Sequence, residues 1–349
     1  MTSTNSVATR IQQKTMHFLV VQLMALVPIM MLVDCSPDTN LDNHWHLWSK
    51  THEKMYNSKE DELRRRIVWE DNLKFIMLHN LEYSLGLHSY EVGMNHLGDM
   101  TSEEVLATMT GFSHADISTS NDTDLPEDVL KSKVPEAIDW RKQNCVTDVK
   151  DQGICSSSWA FSSVGSLECQ LKIRKGKLVS LSAQNLVDCS GSYGNNGCSG
   201  GFLVAAYRYI IDHGIEADST YPYEEKDVTC HFSTTKKAAS MTSYKEVPYG
   251  NEDELKQVVG KVGPVSAAID ASRRSFYLYK NGVYYDPLCS SSQTNHAVLV
   301  VGYGAEDGVE YWLVKNSWRP SFGEEGYIKI ARNHYNQCGI ASFASYPVV

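Results

Sequence analysis

The sequence predicts an α+β fold in which helices come first and strands second. Three observations carry that expectation. Residues 37 to about 111 are charge-rich with helical spacing, whereas from Val134 onward Gly, Cys and aromatic residues rise. Strand-like runs appear in that second region, such as Ala297 to Tyr303 (AVLVVGY) and Glu310 to Val314 (EYWLV). Helices and strands are segregated rather than alternating, and the GYG of Gly302 to Gly304 lacks the full dinucleotide fingerprint, so it reads as a hairpin or turn. With 349 residues, 42% hydrophobic and 21% charged, the chain has room for one or two globular domains, which excludes disorder and collagen. Thirty-two Lys plus Arg against forty-two Asp plus Glu gives a net charge of −10 without basic runs, a poor match to nucleic acid or an anionic membrane.

Taken in order, Phe18 to Val33 (FLVVQLMALVPIMMLV) form an apolar run behind Arg10 and Lys14 and ahead of the polar CSPDTN. That run is short for a membrane span and fits a signal peptide over residues 1–35; an N-terminal anchor is the rival reading. A signal peptide sends the rest of the chain into an oxidising compartment where cysteines pair. Glu62, Arg66, Trp69, Asn72, Ile76 and Asn80 recur at spacings of three and four, which places them on one helix face. Gly111 to Lys133 is rich in Ser, Thr and Asp with no apolar period, an exposed linker open to proteolysis. Asn121 in it heads a glycosylation acceptor, Asn121-Asp122-Thr123. Ser157 to Gly176 carries helical spacing, and Ser180 to Leu186 starts another helix with Ser180 as its cap.

Three stretches of the second region belong together: DQGICSSSWAFS (Asp151 to Ser162), TNHAVLVVGYG (Thr294 to Gly304) and VKNSW (Val314 to Trp318). In these the chain resembles the papain family of cysteine peptidases, from about Leu41 to Val349. Family members carry a nucleophilic Cys at a helix N-terminus, a distant His as base and an Asn that orients the His. The helical face described above resembles the interrupted motif of the inhibitory prosegment in the cathepsin L-like group. A second prosegment motif follows in Gly93, Asn95, Leu97 and Asp99, with Leu97 where Phe is usual. The resemblance implies a papain-like two-lobed fold with a helical inhibitory prosegment: propeptide over residues 36–133, peptidase domain over 134–349. A left lobe of helices carries the nucleophile position and a right lobe of antiparallel strands carries His and Asn. Acid-triggered release of the prosegment is also implied, and acidic and His side chains give it a physical route.

By that resemblance the catalytic positions are Ser158, His296 as general base, Asn316 as its orienting partner and Gln152 as an oxyanion donor beside the Ser158 amide. Trp318 shields Asn316. The departure from the family is Ser158, which stands where the nucleophilic Cys belongs. A thiol beside imidazole at a helix N-terminus ionises readily, its pKa falling from about 8.5 to as low as about 3.5. A hydroxyl does not, and Asn316 lacks the charge by which serine peptidases strengthen their base. Two further departures, Ser156 and Arg319, each replace a Gly, so a larger side chain is expected to crowd or reshape the cleft. The expected outcome is a cathepsin-type endopeptidase precursor whose hydrolysis is weak or absent. The alternatives are a non-catalytic module binding peptides or cystatin-like inhibitors, and a slow serine hydrolase using Ser158 and His296.

The same resemblance pairs Cys155 with Cys198, Cys189 with Cys230, and Cys289 with Cys338. Some relatives add a bridge from the position of Cys145, but the expected partner position holds Met241, which leaves Cys145 orphaned and Cys169 extra, with a bond between the two left open. Gly200 and Gly201 in the CSGG run match the strip that hydrogen-bonds extended substrate, although a turn alone could require them. Phe202, Leu203, Ala268, Ala297 and Phe343 would line an apolar pocket for the second residue before the scissile bond. No cofactor is expected, and no His, Cys, Asp or Glu cluster has zinc spacing. The implied partners are polypeptide substrates or peptides, the chain's own propeptide and cystatin-like inhibitors, with no nucleic acid and a monomeric chain. The implied location is the secretory pathway, lysosome, endosome or extracellular space.

Overall fold

The computed structural model describes residues 36–112 and 133–349, so the leader over 1–35 and Asn121 lie outside the described residues. Helix α1 spans Asp42–Thr51 and helix α2 spans Lys59–Ser84. Ser58 caps α2 by accepting from the Asp61 amide, and Glu60, Asp61 and Glu62 sit in its first turn, where the helix dipole favours anions. On the expected face Arg66, Trp69, Asn72 and Ile76 are buried, while Glu62 is exposed. Polar members of that face are spent on the backbone that follows: Asn72 donates to the carbonyls of Gly98 and Met100, and Asn80 to that of Val92. Strand β1 (Tyr90–Val92) and helix α3 (Ser102–Thr108) complete the prosegment, α3 opening on a reciprocal capping box of Thr101 and Glu104.

The peptidase part begins with β2 (Ile138–Asp139) and helix α4 (Ser158–Lys175), which stops at Gly176 with φ +75°. Helix α5 (Ala183–Cys189) is capped by Ser182, not by Ser180 as its sequence suggests. The reason is local: Leu181 bridges to Ala217 and donates its amide to Glu168, which holds the chain extended two residues longer. There follow α6 (Leu203–His213), β3 (Ile215–Glu216), β4 (Lys237–Ala239), β5 (Ser243–Glu246), α7 (Glu252–Lys261), β6 (Val265–Ile269), α8 (Arg274–Tyr277), β7 (Tyr279–Tyr284), β8 (His296–Glu306), β9 (Val309–Lys315), β10 (Tyr327–Ala331) and β11 (Ala344–Val348).

One sheet runs β1-β7-β10-β9-β8-β6-β11-β5, with β2 also on β8, and a second pairs β3 with β4. The expected antiparallel lobe has one exception, since β10 lies parallel to β7. Among the described residues two large cores lie under these elements, beside a smaller cluster of Leu299, Val301, Leu313 and Tyr327. One gathers Trp159, Leu167, Leu186, Tyr207 and Ile210 between the helices; the other gathers Ile269, Phe276, Tyr284, Val300 and Trp312 on the sheet. Ile76, Tyr90, Val92, Leu97 and Met109 of the prosegment belong to the sheet core, so Leu97 fills an apolar site despite the missing ring.

Cysteine pairs Cys155–Cys198, Cys189–Cys230 and Cys289–Cys338 form, and Cys145 is not an orphan, because it bonds Cys169. Met241 at the vacated partner position is buried in the helical core. Cys145 thus anchors the segment before α4 to the middle of that helix. The double change Cys145→Ser, Cys169→Ser is expected to lower unfolding free energy by about 2–4 kcal/mol, measured by urea titration; a change below about 0.5 kcal/mol would show that the bridge closes no costly loop.

Candidate active site in the cleft

Ser158 is the first residue of α4, where backbone amides point outward from the helix end. Its fully buried Oγ accepts a hydrogen bond from the Ala297 amide at 3.1 Å. The preceding residue gives no side-chain cap; instead the Ser157 and Tyr223 hydroxyls lie 2.7 Å apart, and Tyr223 donates to the Gln152 carbonyl. His296 opens β8, and the amide of the following Ala297 reaches this helix end.

His296 Nε2 lies 2.8 Å from Asn316 Oδ1. A carbonyl oxygen only accepts, so Nε2 carries the proton and Nδ1 keeps its lone pair. Among the described residues the buried Nδ1 has no hydrogen-bond partner, and neither does Asn316 Nδ2. Ser158 and His296 are therefore neighbours without a hydrogen bond between them. Burial drives the imidazole down from its ordinary value to about 4, with the Asn316 contact opposing, so the ring is neutral above that range. The buried Trp318 ring packs on His296 at 4.6 Å between centroids and seals it from solvent. Asn316 follows β9 directly and is tied by its amide to the Gly326 carbonyl, while its Oδ1 also accepts from the Ser317 amide.

Gln152 is fully buried and held by Ser317, whose hydroxyl donates to Oε1 at 2.7 Å. Its Nε2 donates to the carbonyls of Met109 and Cys155, each at 3.0 Å. Trp318 Nε1 donates to the same Met109 carbonyl at 3.1 Å. A prosegment carbonyl thus sits on the donor expected for the oxyanion. Two residues on, the Gly201 amide donates to the Gly111 carbonyl at 2.8 Å, and the amides of Gly111 and Phe112 both donate to the Asn295 carbonyl. Gly200 has φ +113° and a Cβ there would stand 2.7 Å from the Gly111 oxygen, so this strip needs glycine for the close approach.

Phe112 packs against the core that contains Leu203 and Ala297, with its ring 5.8 Å from that of Phe343. Ala268 and Ala297 face each other across β6 and β8, both buried. Phe202 is half-buried and fixed by its amide to Asn195 Oδ1. Of the residues read as pocket-lining, Leu203 and Ala297 share the core on which Phe112 packs, Ala268 pairs with Ala297, and Phe343 meets the Phe112 ring. Missed from the sequence were the Asn295 carbonyl, the Ser157–Tyr223 pair and the path of Met109 to Phe112; only the position of Asn295 beside His296 hinted at any of these.

Arg319 has φ +64°, the conformation for which glycine is suited, and its half-exposed side chain pairs with Asp151. Ser156 does touch the prosegment, its hydroxyl donating to the Thr108 carbonyl at 3.3 Å. Gly111 lies hard against the same residue: a Cβ on it would stand 2.6 Å from Ser156 Cβ and closer still to the Ser156 carbonyl oxygen. Gly111→Ala should therefore push the prosegment off Gly201 and weaken its hold on the separately prepared peptidase domain at least tenfold, or about 1.4 kcal/mol. Unchanged inhibition or binding by the alanine prosegment would contradict that packing. Among the described residues one group of potential metal ligands does occur, His79, Glu82 and His88, against the sequence reading; it lies in the prosegment rather than here.

With this geometry the comparisons agree. Residues 134–348 match the family model for papain family cysteine protease, and residues 45–105 match that for the cathepsin propeptide inhibitor domain (I29). Cathepsin S of Mus musculus is 53% identical over 329 residues, covering 93% of this chain and 96% of the relative. Cathepsin S of Bos taurus is 54% identical over 314 residues, covering 89% and 94%. Digestive procathepsin L 3 of the Tenebrio molitor larval midgut superposes with a TM-score of 0.82 at 42% identity, covering 89% of this chain and all of that one. Matching of both regions, in order and over nearly the full described length, makes the chain a cathepsin S-like precursor, a member of the papain family of cysteine peptidases with its propeptide inhibitor domain attached.

Proposed function

We propose that this precursor keeps the substrate cleft of its family while hydrolysing peptide bonds weakly or not at all, and that its released peptidase domain acts by holding peptides or cystatin-like inhibitors. The observation that carries this is at Ser158: its oxygen is occupied by the Ala297 amide, and among the described residues His296 Nδ1 has no hydrogen-bond partner. A thiol would answer that arrangement by ionising; a neutral hydroxyl needs its proton removed during attack, by an imidazole whose helper, Asn316, is uncharged. Peptide binding, by contrast, uses groups that the serine leaves alone. The Gly201 amide, the Asn295 carbonyl and the apolar wall of Leu203, Ala297 and Phe343 already hold an extended segment, which is how an open edge receives a peptide.

Within this reading Ser158, His296, Asn316 and Gln152 keep their catalytic positions, and Gly200, Gly201, Phe202, Leu203, Ala268, Ala297, Trp318 and Phe343 form the peptide-binding strip. A leader over 1–35 is removed on entry to the secretory pathway, residues 36–133 form the propeptide, and residues 134–349 are released as a monomer to endosome, lysosome or extracellular space. Four disulfides support an oxidising compartment.

The test is turnover by the processed chain of a fluorogenic peptide with an apolar second residue, beside a His296→Ala control, with cystatin binding measured in parallel. The expected result is equal rates within about threefold, together with binding. A rate well above the control and dependent on His296 would replace this reading with the slow serine hydrolase. Rates typical of the family would end it.

A further inference from the structure

We propose that His79, Glu82 and His88 form a binding site for a borderline divalent cation of the zinc class on the prosegment, a role separate from the cleft. His79 and Glu82 stand three residues apart near the end of α2, on neighbouring positions of one face. The chain then reverses through Gly86, at φ +77°, and brings His88 back over that face. One ligand atom from each of the three lies within 4.8 Å of the others. Around an ion bonded at about 2.0–2.1 Å, ligand atoms stand roughly 3.3–3.5 Å apart, so the group has little distance to close.

The protonation states suit the role. His79 is buried and its Nε2 lies 3.1 Å from the Tyr90 carbonyl, which only accepts; the proton is on Nε2 and Nδ1 offers its lone pair. A backbone carbonyl behind the imidazole is the partner that fixes ring and tautomer in metal sites. His88 Nε2 lies 2.9 Å from Glu82 Oε2, so carboxylate and second imidazole already converge.

One movement is required. The His79 and His88 rings stack at 4.1 Å with 4° between their planes, and a single ion cannot lie in two parallel ring planes. His88 is the ring free to turn, being 30% exposed in its side chain, whereas His79 is enclosed. Turning exchanges the contact with Glu82 for bonds to the ion. Two imidazoles and one carboxylate suit Zn²⁺, Cu²⁺ or Ni²⁺ rather than Ca²⁺ or Mg²⁺, and leave a coordination position for water. The position gives the ion a consequence. Tyr90, which holds His79 from behind, begins β1 and packs its ring 4.7 Å from Tyr284 of the peptidase. Cation binding would tighten the α2 to β1 turn and hold the prosegment on its domain by mass action.

The experiment titrates Zn²⁺ into the full precursor against a chromophoric chelator, and Co²⁺ separately to read visible absorption. One equivalent should bind with Kd below about 10 µM, and His88→Ala and Glu82→Gln should each weaken it at least tenfold. Both substitutions are at partly exposed positions, and circular dichroism confirms that each variant is folded; Co²⁺ should give a four- or five-coordinate spectrum that His88→Ala abolishes. Binding weaker than about 100 µM, or affinity unchanged in both variants, would overturn the proposal by placing the ion elsewhere on the chain.

Discussion

Ser158→Cys in the processed chain is expected to raise kcat/KM toward an apolar-second-residue peptide by about 10³-fold or more. Loss of a triad nucleophile costs up to about 10⁶ in kcat, roughly 8 kcal/mol, and the serine oxygen recovers little of it because it cannot ionise at rest. The surroundings that a thiolate needs are in place: the N-terminus of α4, the Ala297 amide directed at the side chain and a neutral His296 whose Nδ1 has no other partner. Sulfur is also larger than oxygen, which brings the nucleophile closer to that nitrogen. The gain should follow a bell-shaped pH profile absent from the serine chain. If the cysteine chain stays inert, the obstruction lies at Ser156 or Arg319, and Ser158→Cys combined with Ser156→Gly or with Arg319→Gly becomes the decisive pair.

The precursor is expected to lose stability as pH falls from about 6.5 towards 4. His296 supplies the first part. Its value in the closed chain is about 4, against about 6.5 in the unfolded chain, so the unfolded form takes the proton first. The stabilisation is therefore complete above about 6.5 and is lost as pH falls through 4. A difference of about 2.5 pH units corresponds to about 3 kcal/mol. His96 acts in the same direction. Buried beside Ser321 of the peptidase, it is driven down to about 3, first by desolvation and then by the positive charges of Arg319 and Lys54. Thermal unfolding followed from pH 7.5 to 4 should show the fall, and His96→Asn should flatten it. A melting temperature level across that interval would show that these imidazoles titrate alike in the closed and open chains.

Much of the fold was legible because its signals are local. The spacing of Arg66, Trp69, Asn72 and Ile76 defined a helix face that is buried, and the runs from Ala297 and Glu310 became β8 and β9. The motifs around Gln152, Ser158, His296 and Asn316 also named residues that meet at one helix end. What escaped depends on distances that only the folded chain sets. Cys145 and Cys169 are 24 residues apart, and nothing in their neighbourhoods says that a loop before α4 returns to its middle. Ser180 has the right chemistry for a cap, yet Glu168 from another helix claims the following amide. The φ of Arg319 and its partner Asp151 cannot be read from composition either. His79 and His88 escaped because nine residues and a reversal at Gly86 separate them.

Strand β1 carries a further consequence for the chain after maturation. In the precursor, Tyr90 to Val92 pair with Tyr279 to Gly282 and cover that border of the sheet. Departure of the prosegment would strip the border, leaving main-chain donors and acceptors ready to zip onto a stranger. Lys280 stands guard there: now leaning on Glu91, it would be left as a bare cation on the rim, the kind of residue that discourages unwanted stacking of one molecule on the next.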